Sequence, residues 1–270
     1  MLNVIQAALL GFVQGLTEFL PVSSSAHLIL ARAFFAFDGD KFGLSFDVAC
    51  HVGTLLAVLF YFRTEIRRMV AALPRLADPS RDEDARLIWL LVVGTLPAIV
   101  VGLLFNKAIE EHLRTVPVAA ATLAGVGLLM GLADRIGAGT RTDRSLSLGE
   151  AFLIGCGQAA ALVPGVSRSG ATLTVALLIG LRRRDSAEFI FLLSVPAILA
   201  AAVHEAPKLV KAGMAGEEGT LFAVGILSSA LVGYAAVKYF IRYLSTRSLA
   251  PFVWYRLALS AAAVAWLLTR

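Results

Sequence analysis

Gln14-Gly15-Leu16-Thr17-Glu18-Phe19-Leu20-Pro21-Val22-Ser23-Ser24-Ser25-Ala26-His27 cuts an otherwise apolar stretch, residues 1–35, near its middle. Proline removes a backbone donor and disfavours helix in the residue before it, so one straight helix cannot run through this segment. A second apolar stretch, 150–181, is cut in the same way between Gln158 and Thr172, around Pro164-Gly165-Val166-Ser167-Arg168-Ser169-Gly170-Ala171-Thr172. Leu10-Gly11-Phe12-Val13-Gln14 is similar to Ile154-Gly155-Cys156-Gly157-Gln158, and each run leads into a proline and then a serine cluster. The two glutamines are 144 residues apart, roughly half the chain. That offset predicts an internal duplication, approximately 1–134 and 150–270, within a single integral membrane domain.

The medium around the chain follows from its composition. Of 270 residues 58% are hydrophobic and only 16% charged, with a mean hydropathy of +0.79; a soluble domain carries about 25% charged residues. Lipid is therefore the expected surrounding. A helix needs about 20 apolar residues to cross a bilayer, and six segments qualify: 44–62, 86–105, 116–134, 186–204, 218–240 and 252–269. Broken backbone at membrane depth survives only when buried in protein or lining a wet cavity. Paired broken segments in matching positions point to a binding site near the midplane. The expected fold is all-α and polytopic, with six spans plus two re-entrant broken segments arranged as an inverted repeat. The start of the chain lacks a basic run and a cleavage site, and reads as mature protein.

Charge gives the orientation. If both broken segments enter and leave on one side, Arg63, Arg67, Arg68, Arg75, Arg81, Arg86, Arg135, Arg141, Arg144, Arg182, Arg183, Arg184, Arg242 and Arg247 share a face. Arg32, Lys41, Lys107, Arg114, Lys208, Lys211 and Arg270 share the other. Fourteen against seven makes the first face cytoplasmic. The same placement disposes of nucleic acid as a partner for the net charge of +5. Cys50 and Cys156 lie in apolar stretches and read as small buried hydrophobes.

A carboxylate, hydroxyls and an imidazole inside an apolar protein are expensive to desolvate, so they are read first as a functional site. Gln14 and Glu18 share a helix face just before Pro21. In the second break, glycines let backbone approach an anion, Ser167, Ser169 and Thr172 offer hydroxyls, and Arg168 supplies a planar fork matched to phosphate oxygens. A helix starting after that loop would add its positive end. The spacing of a P-loop is absent, and no His/Cys set has zinc spacing. The bland readings are equally concrete. Asp47 and Glu188 lead their spans as helix-start caps, and His51 lines a pocket or joins helices. Glu18 and Arg168 clamp each other, and Gly125, Gly127 and Gly131 form packing notches.

The two stretches resemble the paired motifs of the undecaprenyl-diphosphate phosphatase family, also known as the bacitracin-resistance protein family. The likeness rests on Gln14 with Glu18, Leu20 to Ser24 with His27, and Pro164 to Ser169 with Thr172. It extends through Phe46 to Thr54, Leu96-Pro97-Ala98 and Glu188 to Pro196. Many relatives have Glu at the position of Gln14 and Gln at that of His51, and Ala26 stands for a common Gly. The resemblance implies hydrolysis of undecaprenyl diphosphate in the bacterial inner membrane by a site facing the periplasm. That reaction recycles the lipid carrier for peptidoglycan synthesis and confers bacitracin resistance. It also implies support by a divalent cation, Mg2+ or Ca2+, with Glu18 as the one sure acid to hold it.

For catalysis the candidates are Glu18, Ser24, His27 and Arg168; for phosphate binding, Ser23, Ser25, Ser167, Arg168, Ser169 and Thr172. Gln14, Asp47, His51 and Glu188 are secondary. Ser24 is the first choice of nucleophile, with Glu18 or His27 taking its proton; His27 or an activated water are the alternatives. An inverted repeat of broken helices is also the build of secondary transporters, so a lipid-phosphate carrier or flippase role stands beside the enzyme. Small-residue faces allow a homodimer without requiring one.

Overall fold

A computed structural model of the chain describes residues 2–35, 42–79, 82–137, 139–212 and 217–269. Of the charges counted above, Lys41, Arg81 and Arg270 lie outside the described residues. The described chain is helical throughout: α1 (Leu2–Phe19), α2 (Ser24–Phe35), α3 (Leu44–Tyr61), α4 (Arg63–Ala72), α5 (Glu83–Ala108), α6 (Val116–Ile136), α7 (Leu148–Ala160), α8 (Arg168–Leu178), α9 (Arg183–Ala212), α10 (Glu217–Leu244) and α11 (Ala250–Leu268). All six expected spans are helices. Five meet the length and hydropathy of a membrane span unaided, whereas α3 does so only together with the α4 segment, from which it bends by 78°. The polarity is inverted relative to a soluble protein. Leu103, Leu104, Ile136, Val203, Leu231 and Trp254 stand exposed on the outside, while Gln14, Glu18, Gln158 and Arg256 are buried.

Both breaks are narrower than the sequence suggests. The first comprises Leu20 to Ser23 and the second Ala161 to Ser167. Gln14, Glu18 and Gln158 remain helical, because a helix interior tolerates these side chains until proline removes the ladder. Each break ends on a serine in the left-handed region, Ser23 at φ 71° and Ser167 at φ 73°. A non-glycine residue held there costs about 1–3 kcal/mol. Ser23 and Ser167 are themselves 144 residues apart. In both loops the serine's Oγ accepts from a backbone N–H three residues on, Ala26 or Gly170, and meets the hydroxyl two residues on, Ser25 at 3.1 Å or Ser169 at 3.2 Å.

The pairing of helices fixes the topology. α1 and α3 both run alongside α10 in its direction: Gly11 lies against Gly225, Gly15 and Gly53 against Ser229, and Gly233 against Ala57. A Cβ on Gly11 would stand 2.6 Å from the Gly225 carbonyl, so only glycine allows that approach. α2 brings the chain back to the end where α3 begins, and Arg32 in its last turn bonds Asp47 in the first turn of α3. The first broken segment therefore enters and leaves at one end. α7 runs with α5 in the same manner, Gly155 against Gly94 and Leu162 against Gly102. α8 returns to the start of α7, since Arg141 donates from its backbone N–H to Gly180 and from its guanidinium to Glu150. That is the opposite end, where α3 finishes and α5 begins. The two segments thus enter from opposite sides, and their breaks meet in the interior: Ser169 Oγ donates to the Leu20 carbonyl at 3.0 Å, and the Gly165 N–H to Ser25 Oγ at 3.4 Å.

Arg256 of α11 locks this meeting point. Wholly buried, it donates to the carbonyls of Pro21 in the first loop, Gly165 and Val166 in the second, and Thr122 and Leu123 of α6. Ordered carbonyl dipoles meet all three of its nitrogens where water cannot. Gly127 and Gly131 are indeed notches, against Arg256 and Val253, but Gly125 has nothing within 4 Å.

Candidate active site

A cavity of about 380 Å³ opens beside the two loops. Glu18, Ser23, Ser24, Ser25, Ser167 and Arg168 line its inner end. Its other walls are apolar, from Ala98, Ile99, Gly102 and Leu103 of α5, Leu162, and Ala197, Ile198 and Ala200 to Ala202 of α9. Its mouth lies toward the end of α5 and the start of α3, where Ile109, Glu110, Arg114 and Val48 stand.

Glu18 is the centre of the polar wall. Its Oε2 accepts from Ser24 Oγ at 2.7 Å and from Gln14 Nε2 at 2.8 Å, and its Oε1 pairs with Arg168 Nη2. Three segments converge here: α1 supplies Gln14 and Glu18 one turn apart, α2 begins at Ser24, and α8 begins at Arg168. Both helices start at cavity-lining residues, and a helix start is an environment that favours an anion. His51 of α3 is a fourth contributor, with Nε2 at 3.5 Å from Glu18 Oε2. Its Nδ1 lies 2.7 Å from the Asp47 carbonyl, which can only accept. Nδ1 therefore donates to that carbonyl, and Nε2 is the ring atom that faces Glu18.

The expected hydroxyls divide into three groups. Ser24 faces Glu18 and the cavity. Thr172 Oγ1 instead donates to the Arg168 carbonyl one turn back at 2.6 Å, and Ser169 donates to Leu20, so both build the loops. Ser23, Ser25 and Ser167 line the cavity while also holding the loops together through the bonds above. His27 is not brought to the site: its Nδ1 donates to the Ser23 carbonyl at 2.7 Å, and its Nε2 accepts from Tyr255 at 2.7 Å with the rings stacked. The imidazole beside the carboxylate is His51. Asp47 is no cap; its buried carboxylate holds Arg32 and Arg114. Glu188 pairs with Arg184 at 2.9 Å, at the opposite end from the cavity mouth.

Sequence reasoning passed over Arg256, Arg114 and Tyr255. A charge at mid-span was the available signal for Arg256. Nothing in the sequence marks Arg114 out from other end-of-span arginines.

A sequence model of the family described as "Bacitracin resistance protein BacA" matches residues 7–262. An undecaprenyl-diphosphatase of Rubrobacter xylanophilus is 48% identical over 271 residues, covering 99% of this chain and 100% of that protein. An undecaprenyl-diphosphatase of Hahella chejuensis is 43% identical, covering 97% and 98%. Undecaprenyl-diphosphatase 2 of Stutzerimonas stutzeri is 45% identical, covering 96% and 97%.

Proposed function

This chain belongs to the bacitracin resistance protein BacA family, and from that premise we propose that its cavity is where undecaprenyl diphosphate is hydrolysed to undecaprenyl phosphate and inorganic phosphate. The enzyme is a membrane-embedded phosphoric anhydride hydrolase of the kind that confers bacitracin resistance. The observation that carries the site assignment is the single carboxylate shared by Ser24 and Arg168 on the cavity wall.

In this reading the terminal phosphate takes Arg168 from Glu18, and the guanidinium fork with the starts of α2 and α8 holds the equatorial oxygens. Ser24 Oγ loses its proton to Glu18 Oε2, already its hydrogen-bond acceptor, and attacks phosphorus. The bond from phosphorus to the bridging oxygen breaks, releasing the prenyl monophosphate. Water then attacks the phosphoserine, and Ser24 regains its proton as phosphate leaves. The apolar walls of α5 and α9 give the prenyl tail its route to the bilayer.

Among the described residues no three His, Cys, Asp or Glu side chains are grouped to cage a metal. The residues nonetheless suit a hard cation that is bound partly by substrate: Gln14 Oε1 is buried without a hydrogen-bond partner, on the amide that touches Glu18. Mg2+ is commonly held by one or two protein oxygens plus phosphate oxygens. Gln14 and Glu18 would hold it, and when bound it would neutralise charge on the diphosphate.

The mouth lies opposite the arginine-rich loops, which supports a site open to the periplasm of a bacterial inner membrane. The crossed helix pairings and the repeated 144-residue offset support reading 1–134 and 150–270 as inverted copies. A carrier would use both copies alike. At that offset, however, Glu18 matches Leu162 and Arg168 matches Ser24, so the charged pair exists once, which favours the enzyme.

The test is phosphate release from a polyprenyl diphosphate by the purified protein in detergent, with and without a divalent-metal chelator. Release by the parent, its loss in chelator, and a fall of at least about 10³-fold in Ser24→Ala are expected. Full activity in Ser24→Ala would move the nucleophile to water. A folded parent that binds the lipid without releasing phosphate would give the carrier reading the lead.

A further inference from the structure

We propose that Arg114 forms a second anion subsite at the cavity mouth, holding the phosphate that stays on the prenyl chain; the inference rests on the diphosphate reading above. Arg114 follows the π-helical turn Ile109–Leu113 and precedes α6. It lines the same cavity as Arg168, and its side chain is 30% exposed.

Two guanidinium groups meet one buried carboxylate at the mouth. Asp47 is 4% exposed and is met by Arg32 through both carboxylate oxygens, a fork that satisfies it alone. Arg114 Nη2 adds a further bond to Asp47 Oδ2 at 2.8 Å, so two guanidinium groups stand on one carboxylate. Arg32 is not on the cavity wall, whereas Arg114 is. Of the two guanidinium groups on Asp47, Arg114 is therefore the one that faces the cavity. Asp47 also fixes Arg114 before any ligand arrives, which lowers the ordering cost of binding.

The spacing suits two linked phosphates. Asp47 lies one turn of α3 outward from His51, a rise of about 5.4 Å, and His51 Nε2 is 3.5 Å from Glu18, the partner of Arg168. Arg168 and Arg114 thus stand at the inner and outer ends of one polar ladder, joined through Glu18, His51 and Asp47. The terminal phosphate belongs at the inner end with Ser24. Its prenyl-linked neighbour then reaches the level of Arg114, next to the apolar exit along Ile99 and Leu103.

The experiment compares Arg114→Met, Arg114→Lys and Arg32→Met. For each, KM and the inhibition by a prenyl monophosphate and by inorganic phosphate are measured, with direct titration of the monophosphate onto the protein. Arg114→Met is expected to weaken KM and prenyl monophosphate affinity about tenfold or more. Inorganic phosphate inhibition stays put, Arg114→Lys recovers part of the loss, and Arg32→Met, whose guanidinium is off the cavity wall, costs less than Arg114→Met in both constants. Unchanged prenyl monophosphate affinity in folded Arg114→Met would overturn the subsite. Equal losses in Arg32→Met and Arg114→Met would do the same, since they would reduce the cluster to a structural tie. The direct titration separates the two readings: if the parent releases no phosphate, the hydrolase reading fails while the subsite is still tested.

Discussion

Arg168→Ala is expected to lower kcat for polyprenyl diphosphate by at least about 10³-fold, in line with what arginines on transferring phosphoryl groups contribute. The side chain leaves the first turn of α8, and its only ion pair among the described residues is with Glu18. When phosphate takes that guanidinium, the clamp sits next to Ser24, the proposed nucleophile, without any helix having to move. Arg168→Lys should recover little, because a flexible point charge cannot reproduce the planar fork. The substitution also leaves the buried Glu18 carboxylate without a cation, and breaking such a pair costs about 3–5 kcal/mol when the remaining charge stays uncompensated. Thermal unfolding in detergent, measured beside turnover, separates the two effects. Glu18 keeps Ser24 and Gln14 as donors, so the variant should remain folded while turnover collapses.

Arg256→Met should act in the reverse order, on the fold before the chemistry. The substitution removes the donors from five carbonyls that belong to both loops and to α6. A buried acceptor left unsatisfied costs about 1–3 kcal/mol. The Thr122 and Leu123 carbonyls lie within α6, so the loss falls mainly on Pro21, Gly165 and Val166, which have left their helices. The expected result is a destabilisation of several kcal/mol, seen as a large drop in folded yield and in the unfolding midpoint. A midpoint close to the parent's would mean that water or other donors replace the guanidinium, and that the loops do not depend on it.

Much of this arrangement was legible in the sequence. Long apolar runs give the spans, and the prolines give the breaks. The 144-residue offset of Gln14 and Gln158 recurs between Ser23 and Ser167, although their shared positive φ could not be read from residue types. The contact between Gln14 and Glu18 follows from their spacing on one helix face. What could not be read is which polar groups meet from different segments. His27 and His51 are equally plausible as residue types. The choice depends on the rotation of α2 and α3 about their axes, which turns His27 to Tyr255 and His51 to Glu18. Thr172 illustrates the local limit, because a threonine in a helix can satisfy itself on the carbonyl one turn back. It does so on Arg168. Asp47 fits a cap by position, yet its partners come from two other segments.

The central claim is that two loops far apart in sequence act as one phosphate-transferring unit, and a double-mutant cycle tests it most directly. kcat/KM for a polyprenyl diphosphate is measured in the parent, Glu18→Gln, Arg168→Ala and the double variant, each checked for folding. Residues that act as a unit are grossly non-additive, so the double variant is expected to be no worse than the weaker single variant. Losses that simply multiply would mean that Glu18 and Arg168 work independently, and would contradict the shared site.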